Sequence, residues 1–215
     1  EKRDDVLMAF LFGSRSEGKA RTASDWDIAV YLKPLGQKRV EWEERDNIYP
    51  SEDEIWGDCI TLLQTDDVDL LVLNRASASV ADSAIRGIPL TIKDQSLWLK
   101  FARVVSGAAE EYRDFVHDFY LISERSQSLS PRDREDLERS ISFIEQQIGL
   151  YGVYQRFTGK EFEQETRKRN EIERWLENIV NAVIEISKVI LGSQKRLVPP
   201  TYKESVGGAV SELGL

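Results

Sequence analysis

Gly13-Ser14, Gly18 and Ser24-Asp25-Trp26-Asp27 are residue types suited to phosphate and divalent-metal chemistry, at a spacing that could join them. Glycine at the end of an apolar run lets the backbone come close to a ligand. A helix starting there aims its N–H groups and positive dipole end at an anion. Ser14 adds a hydroxyl that can donate to a phosphate oxygen, and Gly18 keeps the following segment open. Arg15, Lys19 and Arg21 are nearby cations whose direction the sequence leaves open. Two residues apart on a strand, Asp25 and Asp27 project from one face with Cα atoms about 6.5 Å apart, while Trp26 points the other way.

Carboxylates this close repel, and one pKa rises unless a cation sits between them. Mg²⁺ takes oxygen ligands, commonly one or two carboxylates plus substrate phosphates. Asp69 opens a later apolar run, Val68 to Leu73, and its strand would lie about 4.8 Å from the first if the two pair. Three acidic groups facing a phosphate-binding turn meet the needs of two-metal phosphoryl or nucleotidyl transfer. Asp67 falls on the same strand face and competes for the third place.

Four strands should position these groups. Val6 to Phe12 is a short apolar run ended by Gly13, Asp25 to Leu32 alternates and then turns apolar, and Val68 to Leu73 and Ile88 to Ile92 follow. Between the second and third strands, Lys38 to Gln64 carries helical stretches broken by Pro50 and Gly57. Ser77 to Arg86 predicts a helix closed by Gly87. The front half reads as a small α/β sandwich.

The back half is helical. A long pattern runs from Gln95 to Ser123, and Ser126 to Pro131 form a polar turn with Ser130 as N-cap and Pro131 at the first helical position. Periodicity resumes from Arg132 to about Phe157, pauses at Thr158-Gly159 and continues to Leu191. A last helix starts at Tyr202, after Pro199-Pro200. Ile172, Trp175, Leu176, Ile179, Val183, Ile186 and Ile190 form an apolar stripe wider than a monomer needs, which predicts a homodimer through the helices.

Composition narrows the classes. The chain has 215 residues, 41% hydrophobic and 31% charged, which suits one large or two small globular domains. No apolar stretch reaches the length of a membrane span, and the start is not a signal peptide. One cysteine, Cys59, forms neither an internal disulfide nor a zinc cage, and points to the cytoplasm. One histidine, His117, nearly excludes a His-rich metal site or a Ser-His-Asp triad; it reads as an ordinary helix residue. All of the net charge of −9 falls in residues 1–124, a poor surface for gripping nucleic acid unless cations intervene. The missing initiator Met and the ending Leu213-Gly214-Leu215 fit a chain that has lost residues at both ends.

Gly13-Ser14, Gly18, Ser24-Asp25-x-Asp27 and Asp69 together resemble the minimal nucleotidyltransferases of the polymerase-β-like superfamily, over about residues 6 to 94. With the change of pattern and of charge near Ser123 to Ser130, this predicts an α+β chain, with a small mixed-sheet domain over residues 1–124 that the resemblance makes a nucleotidyltransferase and an all-α helical bundle over 125–215. The resemblance implies transfer of a nucleoside monophosphate from an NTP, ATP for preference, with Mg²⁺ in a two-ion site and release of pyrophosphate. Carried over by position, Gly13 and Ser14 hold the triphosphate with Gly18 and Ser24 beside them. Asp25 and Asp27 bind metal, and Asp69, preferred to Asp67 because it sits within the VDL run, joins them and helps deprotonate the acceptor. The back half resembles the HEPN domains paired with such enzymes in toxin–antitoxin systems, on Arg169 to Leu191 and Pro200 to Glu204. That resemblance implies a protein acceptor, such as a tyrosine of a HEPN partner. The Arg-x4–6-His motif of HEPN ribonucleases is missing, so a ribonuclease would need its site beyond residue 215; a non-catalytic nucleotide-binding and dimerising module is the other alternative.

Overall fold

A computed structural model describes residues 3–21, 24–36, 40–44, 46–125 and 128–214. Of the polar turn expected before Pro131, Ser126 and Gln127 lie outside the described residues, as does Lys38 at the start of the expected helical stretches. Contacts gather into two compact units, Glu1–Arg113 and Asp114–Leu215. Among the described residues no helix is long and apolar enough to cross a membrane.

The first unit is built on a mixed four-stranded sheet. Strands β1 (Val6–Phe12), β2 (Trp26–Leu32), β3 (Val68–Val72) and β4 (Ile88–Ile92) lie in the order β3-β2-β1-β4. β1 runs antiparallel to both neighbours, and β2 pairs parallel with β3. β3 and β4 occupy opposite edges, so the chain must cross the sheet between them. Helix α3 (Ala78–Ile85) makes that crossing and returns the chain to the end where β1 finishes.

Both faces of the sheet are covered, because its strands are apolar on both sides. Met8, Phe10, Ala29 and Tyr31 form one core with Ala81, Ala84 and Ile85 of α3 and Phe101 and Val105 of α4 (Gln95–Ser123). Ala9, Ile28, Val30, Val68 and Val72 form the other, under Ile55 of α2 (Glu52–Leu63). Gly57, expected to break a helix, lies inside α2, where neighbouring contacts tolerate its weak propensity. A buried carboxylate ties down the segment between β2 and α2. Glu41 accepts from the Tyr49 hydroxyl at 2.6 Å, Asn47 at 3.1 Å and Asn74 at 3.2 Å. Burial pushes its carboxyl up, but these hydrogen bonds, with the backbone N–H groups of Leu35 and Gly36, outweigh that and hold it low.

The second unit is helical. Helix α5 (Pro131–Gly149) starts on a capping box in which Ser130 and Asp133 satisfy each other's backbone N–H groups. Buried Asp133 also pairs with Arg125. The expected continuation to Phe157 is interrupted at Leu150, followed by the single turn α6 (Tyr151–Tyr154). Thr158 then caps α7 (Gly159–Gln164), and extended backbone at Glu165 separates it from α8 (Thr166–Ser193). Helix α9 (Tyr202–Leu213) is capped by Thr201. Of the stripe on α8, Leu176 remains about half exposed, and so does Val180, outside the stripe. A cleft of about 360 Å³ is lined by Arg125, Arg132, Arg139 and Lys188 against Asp118, Asp136 and Glu185; Arg125 is paired with Asp133, so its charges are largely matched.

Candidate nucleotide and metal site

β1 delivers the chain to Gly13, which opens α1 (Gly13–Ser16) with φ +66°. A side chain is excluded there twice over. The backbone is left-handed, and a Cβ would stand 2.0 Å from Asp27 Oδ2 and 2.7 Å from its Cγ. The sequence suggested that the missing side chain makes room for a ligand; the structure fills that room with the carboxylate of Asp27. The Ser16 hydroxyl donates to the Gly13 carbonyl at 2.8 Å, and the Lys19 N–H donates to the Ser14 carbonyl at 3.0 Å. Gly18 turns the chain away with φ +70° and open space around it. Among the described residues the half-buried Ser14 hydroxyl makes no hydrogen bond.

The three aspartates come from two adjacent strands. Asp27 lies opposite Phe12 of β1 on one side and opposite Asp69 of β3 on the other. Asp25 sits in the residue pair just before β2 and is exposed, as is Asp69; Asp27 is half-buried. Burial pushes the Asp27 carboxyl up, the negative charges of Asp69 and Asp25 push it further, and only Arg15 pulls the other way. Like charges gathered with only Arg15 to offset them favour a cation beside Asp27. Asp67 stands outside β3: its carbonyl accepts from the Trp26 N–H at 2.8 Å, and its carboxylate accepts from the Thr65 hydroxyl at 3.3 Å.

Arg15, whose direction the sequence left open, spends its hydrogen bonds on backbone rather than on the carboxylates. Its Nε donates to the carbonyls of Ser24 at 3.1 Å and Asp25 at 3.0 Å, and its guanidinium lies 4.2 Å from the centroid of the Trp26 ring. It thus clamps the residues that carry Asp25. Ser24 closes the same turn, its hydroxyl accepting from the Arg21 N–H at 2.9 Å. Lys19 pairs with Glu17 at 2.8 Å. Of the three cations in this segment, Arg21 alone has no side-chain partner among the described residues.

The donor set suits a hard cation: three carboxylates beside a turn whose backbone can face phosphate. Among the described residues no three acidic, histidine or cysteine side chains close on a common point as a ready-made ion cage. A divalent ion would take Asp25, Asp27 and Asp69 as partial ligands and complete its shell with phosphate oxygens, the usual manner of Mg²⁺. Elsewhere, His117 is an exposed residue of α4. Cys59 packs against the α2-side core, and burial raises its thiol pKa. Trp56 donates to the Val68 carbonyl at 2.9 Å, supporting the strand that carries Asp69. The sequence reading also missed Asp82, buried on α3, which binds Arg86 and Arg113; the i,i+4 spacing of Asp82 and Arg86 was the available signal.

Residues 1–96 match the family model Polymerase beta, Nucleotidyltransferase. The matched region takes in all four strands and every residue of the candidate site. Among solved structures, a crystal structure of a toxin–antitoxin with AMP-PNP is similar, at 24% identity and a TM-score of 0.40, covering 54% of this chain and 87% of that one. No curated protein matches the sequence.

Proposed function

We propose that the first unit moves a nucleoside monophosphate, AMP for preference, from an NTP to an acceptor hydroxyl. The observation that carries this reading is the register of Asp27 with Asp69 on parallel strands, beside a Gly13 turn that Asp27 itself occupies. The backbone after Gly13 and the free Ser14 hydroxyl would receive the triphosphate. Magnesium, when bound, would supply the positive charge that lets three carboxylates and a triphosphate share one site.

The acceptor oxygen attacks the α-phosphorus and forms a new P–O bond, while the bond from that phosphorus to the bridging oxygen breaks and pyrophosphate leaves. Asp69, exposed near the start of β3, takes the proton of the acceptor hydroxyl. Asp25 and Asp27 would hold the ion, which would supply the charge that steadies the phosphates. Resemblance of the site and of the helical half supports a protein hydroxyl as acceptor, a tyrosine of a HEPN partner in a toxin–antitoxin pair. The half-exposed Leu176 and Val180 of α8 support a helix-on-helix homodimer.

The test is incubation with Mg²⁺ and ATP labelled at the α- or the γ-phosphate, with candidate protein acceptors, followed by mass analysis. Label from the α-phosphate alone, lost in Asp27→Asn, is the expected result. Label from the γ-phosphate, or undiminished labelling by Asp27→Asn, refutes the reading.

A further inference from the structure

Within the Gly13–Asp27 segment Arg21 is the one cation without a side-chain partner among the described residues, a single charge against the several of a triphosphate. Arg15 is spent on backbone carbonyls and Trp26, and Lys19 on Glu17. The opposite wall holds charge that the reading above does not use. At the end of α3, Arg86 grips Asp82 with both arms of its fork, Nε at 3.0 Å and Nη2 at 3.2 Å. The Ser106 hydroxyl of α4 donates to the same carboxylate at 2.6 Å, and Arg113 of α4 approaches it at 3.5 Å.

One carboxylate therefore faces two guanidiniums, a surplus of one positive charge. Asp82 is sealed in, its side chain 6% exposed, whereas Arg86 and Arg113 are 65% and 57% exposed. Their unused N–H donors face solvent, and guanidinium forks match phosphate oxygens. The Arg86–Asp82 fork lies within α3; the short Ser106 bond ties α3 to α4, and Arg113 adds only a longer second contact to that joint.

The fold carries this pair to the reacting end of the sheet. Gly87, next to Arg86, is pressed so close to β1 that a Cβ would meet the Leu11 carbonyl at 2.2 Å and Phe12 at 3.0 Å. Phe12 is the residue opposite Asp27 and the one before Gly13. Two strand spacings of about 4.8 Å thus separate the backbone of Gly87 from that of Asp27. Asp27 also shares its sheet face with Ala29 and Tyr31, and Asp69 shares its face with Leu71, all packed in the core beneath α3 and α4. The carboxylates and the two arginines accordingly stand on one side of the sheet at one end.

We propose that Arg86 and Arg113, anchored by Asp82, form a diphosphate subsite that holds the β- and γ-phosphates of the nucleotide and the pyrophosphate derived from them. This rests on the nucleotidyltransferase reading and extends it to the leaving group. AMP has no such group and makes no use of the subsite.

Calorimetric titration of the whole chain with Mg-ATP, Mg-pyrophosphate and AMP tests the proposal. Arg113→Gln is the informative variant, because the Arg86–Asp82 fork and the Ser106 bond remain to hold the fold. It should weaken ATP and pyrophosphate about tenfold and leave AMP unchanged, with Arg113→Lys regaining part of the loss. Arg86→Gln should do the same, provided its circular dichroism and melting match the wild type. Unchanged ATP affinity in both glutamine variants, or equal weakening of AMP, overturns the subsite. If ATP binding and α-phosphate transfer persist in that case, the enzymatic reading survives without it. A wild-type chain that neither binds ATP nor transfers AMP overturns both.

Discussion

Gly13→Ala separates two demands made on one residue. The first is conformational: a residue with a Cβ held at φ +66° costs about 1–2 kcal/mol. The second is steric and falls on the site. The new Cβ would sit 2.0 Å from Asp27 Oδ2, so the carboxylate must retreat by about 1 Å to reach a tolerable contact. Displacement of that size at a reacting centre costs on the order of 100-fold in rate. Gly18→Ala is the matched control, since Gly18 is also left-handed, at φ +70°, but has nothing within 4 Å of its Cβ position. Both variants should lose a similar amount of stability, with a melting shift of about 4–8 °C per kcal/mol for a unit of this size. Only Gly13→Ala should lose most of its α-phosphate transfer, measured under saturating ATP. Equal transfer rates in the two variants, or a Gly13→Ala rate within about threefold of wild type, would refute the claim that Gly13 makes room for Asp27.

Asp27→Asn should stabilise the ion-free protein at neutral pH while abolishing transfer. Its carboxyl is raised in the fold by burial and by Asp69 and Asp25, so repulsion is absent at low pH and grows as pH rises through the folded value, above the ordinary 3.8. A lower melting temperature than wild type in chelator at pH 7 contradicts this. Glu41 works in the opposite sense: its carboxyl is held below the ordinary 4.5, so its contribution is complete above that pH and lost as pH falls through the folded value. Melting of wild type should therefore fall more steeply between pH 5 and pH 3 than that of Glu41→Gln, and parallel curves would count against it. Arg15→Ala should cost about 1–3 kcal/mol for its charged hydrogen bonds and raise the ATP concentration needed for half-maximal rate. Arg15→Lys should not rescue it, because an ammonium lacks the fork; full rescue argues against the clamp. In the helical unit, Ser130→Ala should cost about 1 kcal/mol as a lost cap. Asp133→Ala should cost about 3 kcal/mol, since Arg125 loses its buried partner, and a smaller loss than for Ser130→Ala in urea unfolding defeats that reasoning.

All four strands were legible because each is a short apolar run bounded by glycine or polar residues, and the structure moves their ends by a residue at most. Ser130 likewise marked a helix start through local capping chemistry, whereas Ser77 begins α3 without a side-chain cap bond and the cap of α9 is Thr201. Long-range pairing was beyond the sequence. Nothing local says that β2 and β3 run parallel with Asp27 opposite Asp69, or that Asp27 fills the space over Gly13. The same holds for Glu41 and Asn74, which look like surface residues until the fold buries them together. Gly57 misled because its punctuating tendency is weak beside the packing of α2. The long helical pattern after Arg132 hid the interruption at Leu150, where the residue types stay helix-compatible and only tertiary contacts decide.

The central claim is that Asp25, Asp27 and Asp69 gather a divalent ion against a bound nucleotide. Titrating Mn²⁺ into the chain with a non-hydrolysable ATP analogue, followed by electron paramagnetic resonance, reads this directly. Saturable, nucleotide-dependent binding that is lost in Asp27→Asn and Asp69→Asn but kept in Asp67→Asn is the predicted result. Binding that survives loss of Asp27, or that depends on Asp67 and ignores Asp69, contradicts it.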